Sequence, residues 1–315
     1  MENKSPVAVL ITTYNRPDCL RTLLQEVSKY NIRIYLSVDY PKNQEDKNIF
    51  YNENLKIIEE YNKNIYKLYI FKQNQGCFLG VTKAINWAFV FEEELIILED
   101  DILINETFLK FMNEMLTKFK YDLNIGSISG ANLVPKNELE FSDDPVRLSC
   151  YTASWGWGTW RDRWMDYIED LNYFPNLSTH FPDNYWNRLR FRTWKTLFNK
   201  VAQNDIDSWA YRWLYSNWRR KRLTLNANIN LTTNVGFDER ATHTKQNNQN
   251  RSIPIESSLG FDYENAKKPS KRDYGADEWA SRNLFHLNVF DQTLSRILDI
   301  KSYFGTLLNK YKNIY

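Results

Sequence analysis

Residues 95–104 read Leu-Ile-Ile-Leu-Glu-Asp-Asp-Ile-Leu-Ile, an apolar run broken by three consecutive acids. No other stretch restricts the fold so strongly. A short apolar run bounded by turn signals has the pattern of a parallel strand covered on both faces, so residues 95–98 are expected inside a sheet. The acids then fall at the strand's carboxyl end, where ligands collect in open α/β sheets. Glu99, Asp100 and Asp101 are therefore expected to face a cleft. Three adjacent carboxylates repel one another, and a divalent cation relieves the repulsion. Mg2+ or Mn2+ takes oxygens from one or two carboxylates and completes its shell with water and substrate phosphates. The plainer alternative is a solvated acidic turn ahead of a helix, because Asn105 and Glu106 are helix-start residues.

Upstream, residues 7–13 are β-rich and lead into Thr-Thr-Tyr-Asn-Arg, after which Pro17 and Asp18 open a helix with Leu20, Leu23, Leu24 and Val27 on one face. Residues 32–38 alternate as a second strand closed by Asp39; 55–61 read as a helix, 66–71 as a third strand and 73–76 as a turn. A helix over 82–91 delivers the chain to the acidic strand. Strands and helices alternating at this spacing imply parallel crossovers and a doubly wound sheet. Asn15 and Asp39 fall at strand ends, where they can bond a base or ribose, although each also terminates a strand by itself. Further on, residues 108–119 have helical spacing, 125–130 form a strand of small residues, and 136–145 read as an exposed loop.

A chain of 315 residues is expected to hold one main domain plus a C-terminal elaboration. Aromatic content of 16%, with 11 Trp and 20 Tyr, exceeds ordinary core use and points to sugar faces or a membrane interface. A net charge of +2 argues against a general nucleic-acid binder. Cys19, Cys77 and Cys150 lack the paired spacing of a zinc or redox site, which fits a reducing compartment. Without a leader-like apolar stretch or a run of about eighteen apolar residues, a cytoplasmic location is expected. Residues 154–160, Ser-Trp-Gly-Trp-Gly-Thr-Trp, interleave indoles with glycines, a combination that suits sugar recognition. Taken alone, a tight aromatic turn in the core explains them as well.

The Thr-Thr-Tyr-Asn-Arg segment, Asp39 closing the second strand, Asn-Gln-Gly before a helix, and Leu-Glu-Asp-Asp together resemble the nucleotide-sugar glycosyltransferases of the GT-A fold. The likeness spans residues 7–243. It is looser to the bacterial inverting enzymes and closer, around Glu-Asp-Asp, to the N-acetylglucosaminyltransferase I family. It implies a GT-A α/β domain with a mixed central sheet over residues 1–243. Residues 244–315 would then form a polar loop or lid and an amphipathic C-terminal helix. Asp101 would hold Mn2+ or Mg2+ on the donor diphosphate, with His243 as a second metal contact; a lone His is also commonly a surface residue. Thr12, Tyr14, Asn15, Arg16, Asp39, Gln75, Gly76, Lys83, Glu99 and Asp100 would bind the donor nucleotide and sugar. Trp155, Gly156, Trp157 and Gly158 would shape the pocket for donor sugar and acceptor.

The family carries consecutive acids before a Trp, one of them the base. Here the pattern is Asp207-Ser208-Trp209, so Asp207 takes the role with a shift of one residue and Asp205 stands in reserve. The plain alternative for both acids is a helix cap. The resemblance thus implies inverting transfer of a sugar, GlcNAc by analogy, from a UDP-sugar to a hydroxyl of a glycan or lipid-linked acceptor in bacterial surface polysaccharide or lipopolysaccharide synthesis. No nucleic-acid partner is implied. Residues 245–273 are polar, either a lid that excludes water or a flexible linker. Beyond them, Phe290, Leu294, Ile297 and Leu298 recur at helical spacing beside Arg296 and Lys301. That face suits a peripheral membrane contact, packing onto the domain, or a homodimer. Two rival functions stand beside this one. A sugar nucleotidyltransferase would need a Gly-rich phosphate loop after the first strand, which residues 12–16 lack; a non-catalytic carbohydrate-binding protein would use the aromatics alone.

Overall fold

The computed structural model describes residues 6–171, 188–237 and 253–285. The chain opens with β1 (Ala8–Thr13), α1 (Pro17–Val27), β2 (Ile34–Val38), α2 (Gln44–Asp46) and α3 (Asn52–Glu60). Next come β3 (Ile65–Ile70), α4 (Gly76–Ala88), β4 (Glu94–Glu99), β5 (Ile102–Ile104), α5 (Glu106–Lys118), β6 (Ile125–Ser129), β7 (Val146–Ser149), β8 (Trp157–Trp160) and α6 (Arg161–Trp164). The remaining elements are α7 (Arg188–Ala202), α8 (Trp209–Arg219), β9 (Leu223–Ala227), β10 (Thr232–Asn234) and α9 (Tyr274–Asn283).

Eight strands make one sheet in the order β3-β2-β1-β4-β8-β6-β9-β7. The first four run parallel. β8 is inserted antiparallel to both β4 and β6, β9 runs parallel to β6, and β7 closes the edge antiparallel. The expected α/β class with a mixed central sheet is therefore present. Continuous apolar character in β4 follows from burial on both faces. Ile96 and Leu98 pack with α1, α3 and α5, whereas Leu95 and Ile97 pack with α4, Trp157, Trp209 and Trp213. After the acids the chain leaves this sheet, and β5 pairs with β10 in a separate two-stranded ribbon. Residues 95–104 are thus two strands joined by the acidic turn.

Three expectations change. The helix placed over 82–91 starts at Gly76 and ends at Ala88. Its first turn is held by carboxylates from distant segments, which local spacing cannot reveal. The aromatic excess serves the core more than a surface: Trp157, Trp160, Trp194, Trp213 and Trp218 are among the largest fully buried side chains. Residues 253–273, expected as a lid or linker, lie along the domain. Phe261 and Tyr263 pack on Phe111 with ring centres 5.7 and 6.0 Å away. Glu256 accepts from the Asn230 N–H (2.9 Å), and Lys268 pairs with Asp122 (2.5 Å). The amphipathic tail, residues 286–315, lies outside the described residues, and no helix among those described is long and apolar enough to cross a membrane.

Gly156 is needed for its backbone. Its φ of +78° lies in the left-handed region, and an added Cβ would stand 2.6 Å from Thr232 Cγ2 and 3.0 Å from Phe108 Cε2. Gly156→Ala is expected to destabilise the chain by about 1–3 kcal/mol, through strain and overpacking together. A urea midpoint equal to that of the unsubstituted chain would show that the turn adapts at no cost.

Candidate active site

A cleft of about 930 Å³ opens at the carboxyl ends of β1, β2 and β4. The run of Glu99, Asp100 and Asp101 forms its floor, and the three acids have different surroundings. Asp100 is 7% exposed; its Oδ2 accepts from the Thr13 hydroxyl (2.6 Å) and the Tyr14 N–H (3.2 Å). The Thr-Thr-Tyr segment after β1 therefore clamps this acid. The Trp209 side chain acts to lower the Glu99 carboxyl, against the effect of burial. Burial, reinforced by the neighbouring acids, pushes the carboxyl groups of both Glu99 and Asp100 well above the ordinary range.

Like the half-buried Glu99, Asp101 lines the cleft. Its side chain is 18% exposed, and its Oδ2 lies 3.3 Å from Arg16 Nη1. Arg16 also donates through Nη2 to the Gly236 carbonyl (2.9 Å). Gly236 makes this approach possible, because a Cβ there would fall 1.8 Å from Asp101 Oδ2. Among the described residues no three His, Cys, Asp or Glu side chains converge as a closed metal cage. One carboxylate beside a cleft fits an Mg2+ or Mn2+ held mainly by water and phosphate oxygens, which needs only one or two carboxylates. Arg16 shares that carboxylate. His243 lies outside the described residues.

Asp207 also lines the cleft. Its Oδ2 accepts from the Cys77 N–H and its Oδ1 from the Phe78 N–H, both at 3.1 Å. Asp207 thus caps α4, not the helix α8 that follows it in sequence. A carboxylate at that terminus satisfies donors that the helix leaves unpaired and complements its dipole. Asp39 holds the same turn from the other side, accepting from the N–H groups of Gln75 (2.9 Å) and Gly76 (3.1 Å). Burial raises the Asp39 carboxyl, and these backbone bonds oppose the rise. Cys77, between the two acids, has its thiol pushed well up, first by burial and then by Glu99, Asp207 and Asp101. It is a neutral neighbour, not a nucleophile.

Of the residues singled out in the sequence, Thr12, Tyr14, Asn15, Arg16, Asp39, Gly76, Glu99, Asp100, Asp101, Trp155 and Asp207 line the cleft. Others do not. Lys83 is on the exposed side of α4, bonded to Gln75, whose own part is a backbone bond to Asp39. Asp205 is exposed and outside the cleft lining, although its neighbours Ile206 and Asp207 are within it.

Gly156, Trp157 and Gly158 were expected to shape a sugar pocket and instead build the core. Trp157 is 2% exposed and stacks on Trp209 with centres 5.2 Å apart. Gly158 lets β8 approach β4 and α5, since a Cβ there would meet the Leu95 carbonyl at 2.7 Å. Only Trp155 reaches the cleft, because antiparallel pairing brings the entrance of β8 to the carboxyl end of β4.

No protein-family model matches the sequence, and no curated protein matches it. Solved structures with similarity include TarS of S. aureus, 18% identical over 40% of this chain and 22% of that one, with TM-score 0.31. TarS 1-349 of S. aureus in complex with UDP-GlcNAc is 17% identical over 54% of this chain and 48% of that one, with TM-score 0.37. GalNAc-T7 with UDP, GalNAc and Mn2+ is 12% identical over 72% of this chain and 43% of that one, with TM-score 0.41. The chain spans less than half the length of each of these three.

The far wall of the cleft was not anticipated from sequence. Arg147 and Ser149 on β7, Asn226 on β9 and Trp279 on α9 all line it. One signal was present: residues 146–149, Val-Arg-Leu-Ser, alternate apolar and polar, so a polar strand face was legible although the pairing that aims it at the cleft was not.

Proposed function

We propose that the chain is a GT-A glycosyltransferase that moves a sugar from a nucleoside diphosphate, UDP in this reading, to an acceptor hydroxyl with inversion. One observation carries the proposal: Asp101 at the end of β4 and Asp207 ahead of α8, far apart in sequence, line a single cleft. At about 930 Å³ the cleft is near the upper end of the roughly 300–1,000 Å³ typical of small-molecule pockets, so it can admit donor and acceptor together. Inverting transfer needs such a division of labour. The acceptor oxygen forms a bond to the anomeric carbon as the bond from that carbon to the diphosphate oxygen breaks. Asp207 takes the hydroxyl proton, and the nucleoside diphosphate leaves.

Contacts within the chain support this reading. The Cys77 and Phe78 N–H groups fix the Asp207 carboxylate, and the same turn anchors Asp39 on the nucleotide side. Arg16 places a buried cation next to Asp101, where negative charge from a diphosphate would collect. A divalent cation bound at Asp101 would offset the charge that develops on the departing diphosphate. Trp155, with its ring edge-on to Phe237 at 5.7 Å, gives the cleft an apolar face suited to a sugar. The role in bacterial surface polysaccharide assembly and the choice of GlcNAc belong to the same proposal and rest on the motif resemblance.

Thermal shift with UDP, GDP and CMP, each with and without Mn2+, tests the proposal. UDP with Mn2+ is expected to raise the melting temperature; at a hundred-fold excess over Kd such binding is worth about 2.7 kcal/mol. A chain stabilised by oligosaccharides but by none of the nucleotides would instead be a carbohydrate-binding protein.

A further inference from the structure

Beyond the acidic floor, the cleft runs to a wall made by β7, β9 and α9. Arg147 projects from β7 and is 4% exposed. Its Nη1 donates to the Ala227 carbonyl (2.7 Å) and to Asn228 Oδ1 (3.0 Å), whereas its buried Nε has no hydrogen-bond partner among the described residues. The carboxylates whose field reaches it are Asp273 and Asp277, and both are engaged elsewhere. Asp273 caps α9, accepting from the Ala276 N–H (2.8 Å), and also accepts from the Glu140 N–H (3.1 Å). Asp277 accepts from the Ser149 hydroxyl (2.5 Å) and the Cys150 N–H (3.1 Å) and pairs with Arg272 at 3.2 Å.

Burial pulls the Arg147 pKa down to about 10, so the group stays cationic at neutral pH. A buried guanidinium with no ion pair among the described residues is costly, and a cation of this kind on a cleft wall marks a place for an anion. Asn226 reinforces this. It faces Arg147 in register across the β7–β9 pair, is 2% exposed, and its Oδ1 has no hydrogen-bond partner among the described residues. Buried polar atoms are normally satisfied, and a hydroxyl donor next to an anion would satisfy this pair. The half-exposed Trp279 supplies an apolar face on the same wall.

We propose that Arg147 and Asn226 form an acceptor subsite for a negatively charged sugar, with the guanidinium holding a carboxylate or phosphate substituent and the Asn226 amide oxygen taking a hydroxyl. The word acceptor rests on the transferase reading above; the anion site itself does not. Recognition is by a charge-assisted fork, which a neutral hexose cannot engage.

The test titrates the full chain with D-glucuronate, inorganic phosphate and D-glucose, each with and without UDP and Mn2+, and follows the melting temperature. Glucuronate or phosphate is expected to stabilise the chain, and glucose is not. A stronger response to glucuronate assigns a uronate-bearing acceptor; a stronger response to phosphate assigns a phosphate-bearing one. Arg147→Gln should weaken anion binding by about tenfold or more, the worth of a lost hydrogen bond to a charged group. Asn226→Asp places a carboxylate beside Arg147 and should also abolish the response while keeping the wall charge-paired, which covers the case in which Arg147→Gln fails to fold. Both variants should keep the response to UDP with Mn2+. Anion binding equal in wild type and Asn226→Asp, or no anion response in wild type, overturns the subsite. An anion response lost in the variants, in a chain that never responds to UDP, would uphold the subsite and remove the transferase.

Discussion

Asp101→Asn is expected to reduce sugar transfer by roughly 10²–10³-fold, the usual effect of removing one group that stabilises charge in a transition state. The substitution preserves shape. Asp101 Oδ2 is wedged beside Gly236 and Arg16, and an amide of equal size occupies the same space without moving either. The negative charge is what disappears. Melting temperature should fall, because the buried Arg16 loses the charge of its ion-pair partner, and separately the extra stabilisation that Mn2+ adds to UDP should be lost. UDP release measured at saturating donor, alongside the nucleotide thermal shift, reads both effects. Undiminished turnover by the unsubstituted chain in excess chelator would remove the cation from the proposal and leave Arg16 as the charge that faces the diphosphate.

Asp207→Asn is expected to stop transfer more completely while sparing the donor. A positioned base contributes on the order of 10²–10⁴-fold, and an amide cannot accept the proton. Asp207 has a second occupation that must be separated from the first. Its two oxygens accept the Cys77 and Phe78 N–H groups, and asparagine can serve only one of them. Loss of such a cap costs about 1 kcal/mol, so a small fall in stability should accompany the fall in turnover. Single-turnover assays with bound UDP-sugar distinguish the two roles. A variant that melts earlier yet transfers sugar at the original rate would make Asp207 a helix cap and nothing more. Asp205→Asn is the natural control, because Asp205 lies outside the cleft lining.

The two acids differ in how readable they were. Asp101 stands at the end of a strand whose apolar pattern survives any packing arrangement, so its place at the carboxyl edge follows from local sequence. Asp207 looked like a cap for the helix beginning at Trp209, and it is a cap, but for α4, which lies far from it in sequence. The same contact explains why α4 begins at Gly76. With φ at +74°, Gly76 turns the chain so that its next two N–H groups meet a carboxylate. Spacing in residues 73–91 shows the apolar stripe of the helix and not the tertiary partner that starts it.

The tryptophan-glycine segment separates what is local from what is not in another way. Its composition suits a sugar pocket and a packed turn equally well. Strand direction decided between them. Because β8 runs antiparallel between β4 and β6, only the residues before it reach the cleft edge, and Trp157 to Trp160 are carried into the interior. Arg147 and Asn226 became neighbours by the same kind of pairing, 79 positions apart in the chain.

By itself the sequence determined the alternating α/β order, the buried β4 strand and the acids at its end, because period, propensity and turn chemistry act over a few residues. Only the tertiary structure decided which helix Asp207 caps, which tryptophans meet solvent and which strand faces enclose the cleft. Those outcomes depend on long-range strand register and direction, and no short window of sequence contains both partners of such a contact.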